Sequence, residues 1–138
     1  LPIAPEPPPL LSSLPTLTQG TLVLLVPLLF GAVCGFLLSE TETGWWIANG
    51  IAALGGVAGG LEHESGGSGA RRGLLAGAMF GLGVFVADAI SAAPPTAQTP
   101  EPIILLPLLA AGAGLLLGAL GGRIRARTGG PGQARTDR

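Results

Sequence analysis

The chain has 138 residues, of which 48% are apolar and only 11% charged, with a mean hydropathy of +0.60 and a formal net charge of −1. A soluble domain carries about a quarter of its residues as charges, so the composition excludes an ordinary water-facing fold and places the chain with membrane proteins. A single cysteine excludes an intramolecular disulfide, and seven basic residues against eight acidic ones exclude a strongly basic nucleic-acid binder.

Leu rather than Met stands first, so the chain reads as a fragment or a processed form. Residues 1–16, "LPIAPEPPPLLSSLPT", are proline-rich and read as an extended N-terminal segment on the cytoplasmic surface. The first uncharged run covers residues 17–39. No basic stretch precedes it and it is too long for a signal peptide, so it reads as a retained span. Cys34 within it is a small packing residue rather than a reactive thiol.

After "ETET" a second run covers residues 44–61 and opens on Trp45 and Trp46, placed as aromatic anchors at a membrane interface. It is glycine-rich and the least apolar of the runs, so a re-entrant segment is the competing reading. The link "EHESGGSGARR" leads to a third run, residues 73–93, interrupted only by Asp88. The link "PPTAQTPEP" leads to a fourth, residues 103–122. Each run approaches the ~20 residues that a helix needs to cross ~30 Å of hydrocarbon. In lipid the backbone must satisfy its own polar groups, which leaves helices as the way across. Short links favour antiparallel hairpins, and Pro27 and Pro107 predict kinks in the first and fourth spans. The reading is an all-α, four-helix transmembrane bundle over residues 17–122. A basic tail with the composition of a disordered end follows over residues 123–138. Arg123, Arg125 and Arg127 of that tail are placed to contact anionic lipid headgroups.

Four spans put every arginine on one side, where seven bases face the four acids Glu6, Glu62, Glu64 and Asp137. The other side holds Glu40, Glu42, Asp88 and Glu101 and no base. Basic loops stay in the cytoplasm, so the expectation is a multi-pass protein of the cell membrane with both termini cytoplasmic.

Small residues recur every fourth position in all four spans. The rows are Gly31, Gly35 and Ser39; Ala52, Gly56 and Gly60; Gly69, Gly73, Gly77 and Gly81; and Ala110, Gly114, Gly118 and Gly122. Residues four apart lie nearly above one another on a helix. Without a hydrophobic force between helices in lipid, close backbone approach has to hold them, and small side chains permit it. The rows therefore predict a glycine-zipper type of packing, within one chain or between copies.

Polar candidates are few. "EHE", Glu62-His63-Glu64, has no second histidine or paired cysteine to complete a metal site, and reads as a solvated helix end beside Arg71 and Arg72. Asp88 falls near the outer boundary, where with Asn49 or Trp45 as neighbour it would form an interfacial polar site. No nucleophile–base pair, phosphate loop or cofactor motif is visible. The functional expectation is a non-enzymatic structural or accessory membrane subunit, or a self-associating bundle. It needs no cofactor and no nucleic acid, and its partners are the bilayer, itself or a larger membrane complex. The alternative is a small transporter or channel with an acidic outer mouth near Asp88.

The run "GGVAGGLEHESGGSGARRGLLAGAMFG", residues 55–81, with the later "GALGG", resembles a family of small archaeal, mainly haloarchaeal, membrane proteins of unknown function. Gly69, Arg71, Gly73 and Gly77 match its glycine-and-arginine helix start, while Arg72 and the basic tail are less typical of it. The resemblance implies a fold of glycine-rich membrane helices and no activity.

Overall fold

A computed structural model describes residues 15–128; the proline-rich segment up to residue 14 and the last ten residues of the tail lie outside the described residues. The chain forms four α-helices, α1 (Thr16–Glu40), α2 (Glu42–Leu61), α3 (Gly66–Ile90) and α4 (Leu105–Thr128). Three of them, α1, α3 and α4, are long and apolar enough to cross a membrane. The 20-residue α2 is not in that group, since it carries six glycines, Asn49 and Glu42 among its apolar residues.

Local chemistry sets the ends. Only Thr41 separates α1 from α2; its extended backbone breaks the helix, and its side chain accepts a hydrogen bond from the Gly44 N–H. Ser65 starts α3 in the same way, accepting from the Ser68 N–H at 3.2 Å. At the end of α3, the Ser91 N–H donates back to the carbonyls of Ala87 and Asp88. Pro107, expected to kink a helix interior, is instead the third residue of α4. In a first turn an N–H has no intrahelical acceptor, so proline costs little there. Pro27 does lie inside α1. The chain stays helical through Arg123, Arg125 and Arg127 to Thr128, so residues 123–128 of the expected disordered tail are helix, and the rest of it lies outside the described residues.

Around the bundle the neighbours run α1, α3, α4, α2. The most extensive contact is α3 on α4, followed by α1 on α3 and α2 on α4; the backbones of α1 and α4 do not approach each other among the described residues. Consecutive α2 and α3 meet only slightly, so their link joins helices that stand nearly diagonal rather than forming a packed hairpin. A cluster of side chains closes one end of the bundle: Cys34 and Leu38 from α1, Trp45 and Ala48 from α2, Val84 from α3, Leu106 from α4 and Ala97 from the α3–α4 link. Phe30, Leu37 and Phe80 pack against it, the two phenylalanine rings 6.2 Å apart. The link folds over this end, where Thr96 donates to the Leu38 carbonyl from both its N–H and its Oγ1, each at 2.8 Å. That carbonyl is one of the orphans at the end of α1.

The two tryptophans separate. Trp46 is 59% exposed, as an interface anchor would be, but Trp45 is 7% exposed and belongs to the closing cluster. Adjacent residues on a helix point about 100° apart, so a tryptophan pair cannot serve one role. Trp45→Ala should destabilise the protein by about 3 kcal/mol, the usual cost of emptying a large buried site. Trp46→Ala should cost well under half of that. Thermal unfolding of the two variants in the same detergent checks the difference.

Candidate functional site

The feature that the sequence singles out is the set of close-packed glycines, and α3 is its hub. Gly69, Gly73, Gly77 and Gly81 lie along one side of α3 and meet α4 at four successive levels. The pairing is reciprocal at the first two. A Cβ on Gly69 would fall on the Gly118 carbonyl oxygen and one on Gly118 on the Gly69 oxygen; Gly73 and Gly114 stand in the same relation. Gly77 faces the Ala110 carbonyl, and Gly81 faces Pro107 and the Ala110 methyl. Gly122 extends the contact downward onto Ser65 and Gly66. These helices meet backbone on backbone, a separation at which Cα–H···O contacts form and any side chain must push the helices apart.

The other side of α3 takes α1. A Cβ on Gly31 would overlap the Phe80 carbonyl, and one on Gly35 would stand 2.6 Å from the Ala87 methyl. From the α3 side, Gly83 abuts the Leu28 carbonyl of α1. Gly60 of α2 faces Gly118 of α4, and Gly121 of α4 faces Val57 and Gly60 of α2. Gly83 and Gly121 lie outside the four-residue rows. The signal that could have found them is doubling: Gly81 with Gly83, and Gly121 with Gly122, put glycine on two sides of one helix, as a helix with two tight neighbours needs.

Gly56 differs from the rest of the expected set, since a Cβ there would make ordinary contact with Leu117 at 3.4 Å. Gly20, Gly50, Gly55, Gly67 and Gly112 have nothing within 4 Å of where a Cβ would stand.

The polar site expected at Asp88 belongs to the end of the bundle where α3 finishes. Asp88 is half-buried near the end of α3, and no hydrogen bond joins it to Asn49 or to Trp45 among the described residues. The Asn49 amide donates instead to the Trp45 carbonyl within its own helix, at 2.9 Å. The polar tie at this end is Ser91 donating to Ser39 at 2.9 Å, which joins the ends of α1 and α3. No sequence spacing links residues so far apart, although both serines sit where an apolar run ends.

At the other end the tail arginines divide. Arg125 donates to the Leu61 carbonyl at 2.9 Å and so caps the end of α2. The stem of Arg123 lies against Gly66, and Arg127 is exposed. His63 sits in the α2–α3 link with its Nδ1 3.2 Å from the Gly59 carbonyl. Among the described residues no three His, Cys, Asp or Glu side chains gather closely enough to hold a metal ion. No family model matches the chain, and no curated protein or solved structure matches it.

The geometry predicts opposite outcomes for one chemical change. Gly77→Ala should lower the unfolding temperature and loosen the bundle, because its methyl lands on the Ala110 backbone. Gly112→Ala meets nothing and should be neutral or stabilising, since alanine is the better helix former by about 1 kcal/mol in water. Melting curves in one detergent, run beside Gly56→Ala as a tolerated case, decide it.

Proposed function

We propose that the chain is a non-enzymatic, four-span protein of the cell membrane, a structural or accessory subunit built as a tight helical bundle, with both termini in the cytoplasm. The observation that carries this reading is the bare-backbone contact of α3 with α4 inside a shell of large apolar side chains. Leu24, Leu29, Leu75, Leu108 and Leu116 are among those exposed on α1, α3 and α4. Soluble monomers rarely expose contiguous apolar surface on that scale, whereas lipid-facing helices do.

The placement of α2 supports a fourth span. It starts at the end where Trp45 packs with Leu38 and Leu106, and finishes where Gly60 meets Gly118 and Leu61 meets Arg125, so it runs the length of its neighbours. Its outward residues Ile51 and Leu54 are 56% and 74% exposed. Arg71, Arg72, Arg123, Arg125 and Arg127 then share one end, which the positive-inside rule assigns to the cytoplasm.

A conducting path is the weaker reading. Ion and solute paths are lined by polar groups, but no polar or charged residue is buried among the described residues, and an apolar cluster closes the Asp88 end.

With Cys34 replaced by Ser, single cysteines at Thr43, Ser68, Gln98 and Thr128 report the topology. A membrane-impermeant thiol reagent applied to intact cells should label positions 43 and 98 alone. Labelling at 68 together with 43 would show that α2 does not cross. Proteoliposomes should pass no more cation than empty ones, for the native chain and for Asp88→Asn alike; a current that this substitution reduces would favour the conduit.

A further inference from the structure

Between α1 and α2, over the face that α3 and α4 present, lies a cavity of about 440 Å³. Its cause is the scarcity of side chains: twelve of its twenty-two lining residues are Gly or Ala. Val26 of α1 and Ile51 of α2 edge it and are each more than half exposed, so it opens sideways between the two helices. The groove runs along α2 from Asn49 to Gly60, roughly 16 Å at ~1.5 Å per residue. Apart from the Asn49 amide it is apolar until it reaches Arg72, which stands beside Gly59 at its cytoplasmic end.

Arg72 also lines a second, more polar pocket with His63, Ser65, Ser68 and Arg71. Among the described residues neither Arg71 nor Arg72 makes a hydrogen bond or an ion pair. Glu62 and Glu64 lie in the same link, but five arginines against these two acids leave this end of the described chain positive. The start of α3 adds its own positive dipole end.

From this juxtaposition we infer that the groove between α1 and α2 binds one acyl chain of an anionic phospholipid from the cytoplasmic leaflet, with the phosphate held by Arg71 and Arg72. The inference rests on the membrane reading above. Size selects the occupant. An apolar cavity of ~150 Å³ holds one benzene, so 440 Å³ matches a single extended hydrocarbon chain. A transmembrane helix is 10–12 Å across with its side chains, and ten residues of one would need roughly three times the volume available. Charge selects the headgroup, because the Arg72 guanidinium at the mouth of the apolar slot, with Arg71 in the adjoining polar pocket, favours a phosphate over a neutral or cationic group.

The test uses the full chain in nanodiscs of mixed phosphatidylglycerol and phosphatidylcholine, with membrane insertion first verified by the cysteine labelling. Native mass spectrometry then counts the lipids that stay bound on release. One phosphatidylglycerol per chain should be retained in preference to phosphatidylcholine. The double variant Arg71→Gln with Arg72→Gln should reduce that preference about tenfold, the scale of a lost charge-assisted contact. Ala76→Leu and, independently, Ala113→Leu fill the floor of the groove and should remove the retained lipid while circular dichroism shows the helices intact.

Equal retention of both lipids would overturn the inference, as would loss on neutralising Arg123, Arg125 and Arg127 but not Arg71 and Arg72. Lipid retained only after residues 1–14 are deleted would assign the groove to that segment and also overturn it. With labelling as expected and no lipid retained, this inference fails alone; a chain that does not insert removes the membrane reading as well.

Discussion

Everything in this bundle depends on two helices approaching until their backbones touch. At Gly69, Gly73, Gly114 and Gly118 the usual spacer between helices is missing, and each carbonyl oxygen occupies the space where the partner's Cβ would stand. In water such a contact would bury little apolar surface for the ~1 kcal/mol that each glycine costs a helix. In lipid the comparison changes, because leaving the helix would expose backbone groups with no partner. Dispersion and Cα–H···O contacts then suffice to fix the pair. Close approach also sets what the rest can do. With one side of α3 committed to α4, α1 must take the other, and Gly83 is the residue that lets it in.

The two ends of the protein are held by different physics. Where Glu40, Glu42 and Asp88 lie, large side chains from all four helices interlock around Leu38 and Val84, and Thr96 and Ser91 finish the ends of α1 and α3. Where the arginines lie, glycine contacts and one guanidinium on the Leu61 carbonyl replace the side-chain core. Helix α1 packs mainly on α3 and α2 mainly on α4, and the groove lies between α1 and α2 where Gly and Ala leave the space unfilled.

Much of this was legible in the chain and some of it could not be. The four helices follow from uncharged runs separated by Glu, Ser and Pro, and ten of the eleven singled-out glycines stand where a Cβ would crowd another helix. The rows could not say which helix each would meet. That depends on rotation about the helix axis, and α2 and α3, adjacent in sequence, came to stand almost apart. Gly56 shows the limit within a row: four-residue spacing places it above Gly60, but the residue opposite is Leu117 rather than another glycine. The helix ends were the least legible. Pro107 reads as an interior kink until α4 is seen to start at Leu105, and the tail arginines read as irregular chain until the helix is followed to Thr128. A run of apolar residues marks what a membrane can hold, not where hydrogen bonding stops.

The polar contacts illustrate the same limit from the other side. Asp88 attracts notice because it is the lone acid in an apolar run, but lone polar residues are conspicuous for their scarcity, not their role. The residues that act at that end, Ser39, Ser91 and Thr96, are small, common and separated by up to 57 positions. Thr96 answers a need that the helix itself creates, since the last carbonyls of α1 have no donor in their own helix, while Ser91 ties the two helix ends through the Ser39 hydroxyl. Arg125 answers the same need at the end of α2, by reaching across from α4. Two of the three conspicuous tail arginines thus lie against the protein, Arg125 through its guanidinium and Arg123 through its stem. Arg71 and Arg72, set one turn inside α3, keep their charge without a partner among the described residues. A charge placed at the mouth of an apolar slot is costly to leave unanswered in a membrane. On the membrane reading, what sets the arginines of α3 apart from those of the tail is therefore their place beside the two pockets.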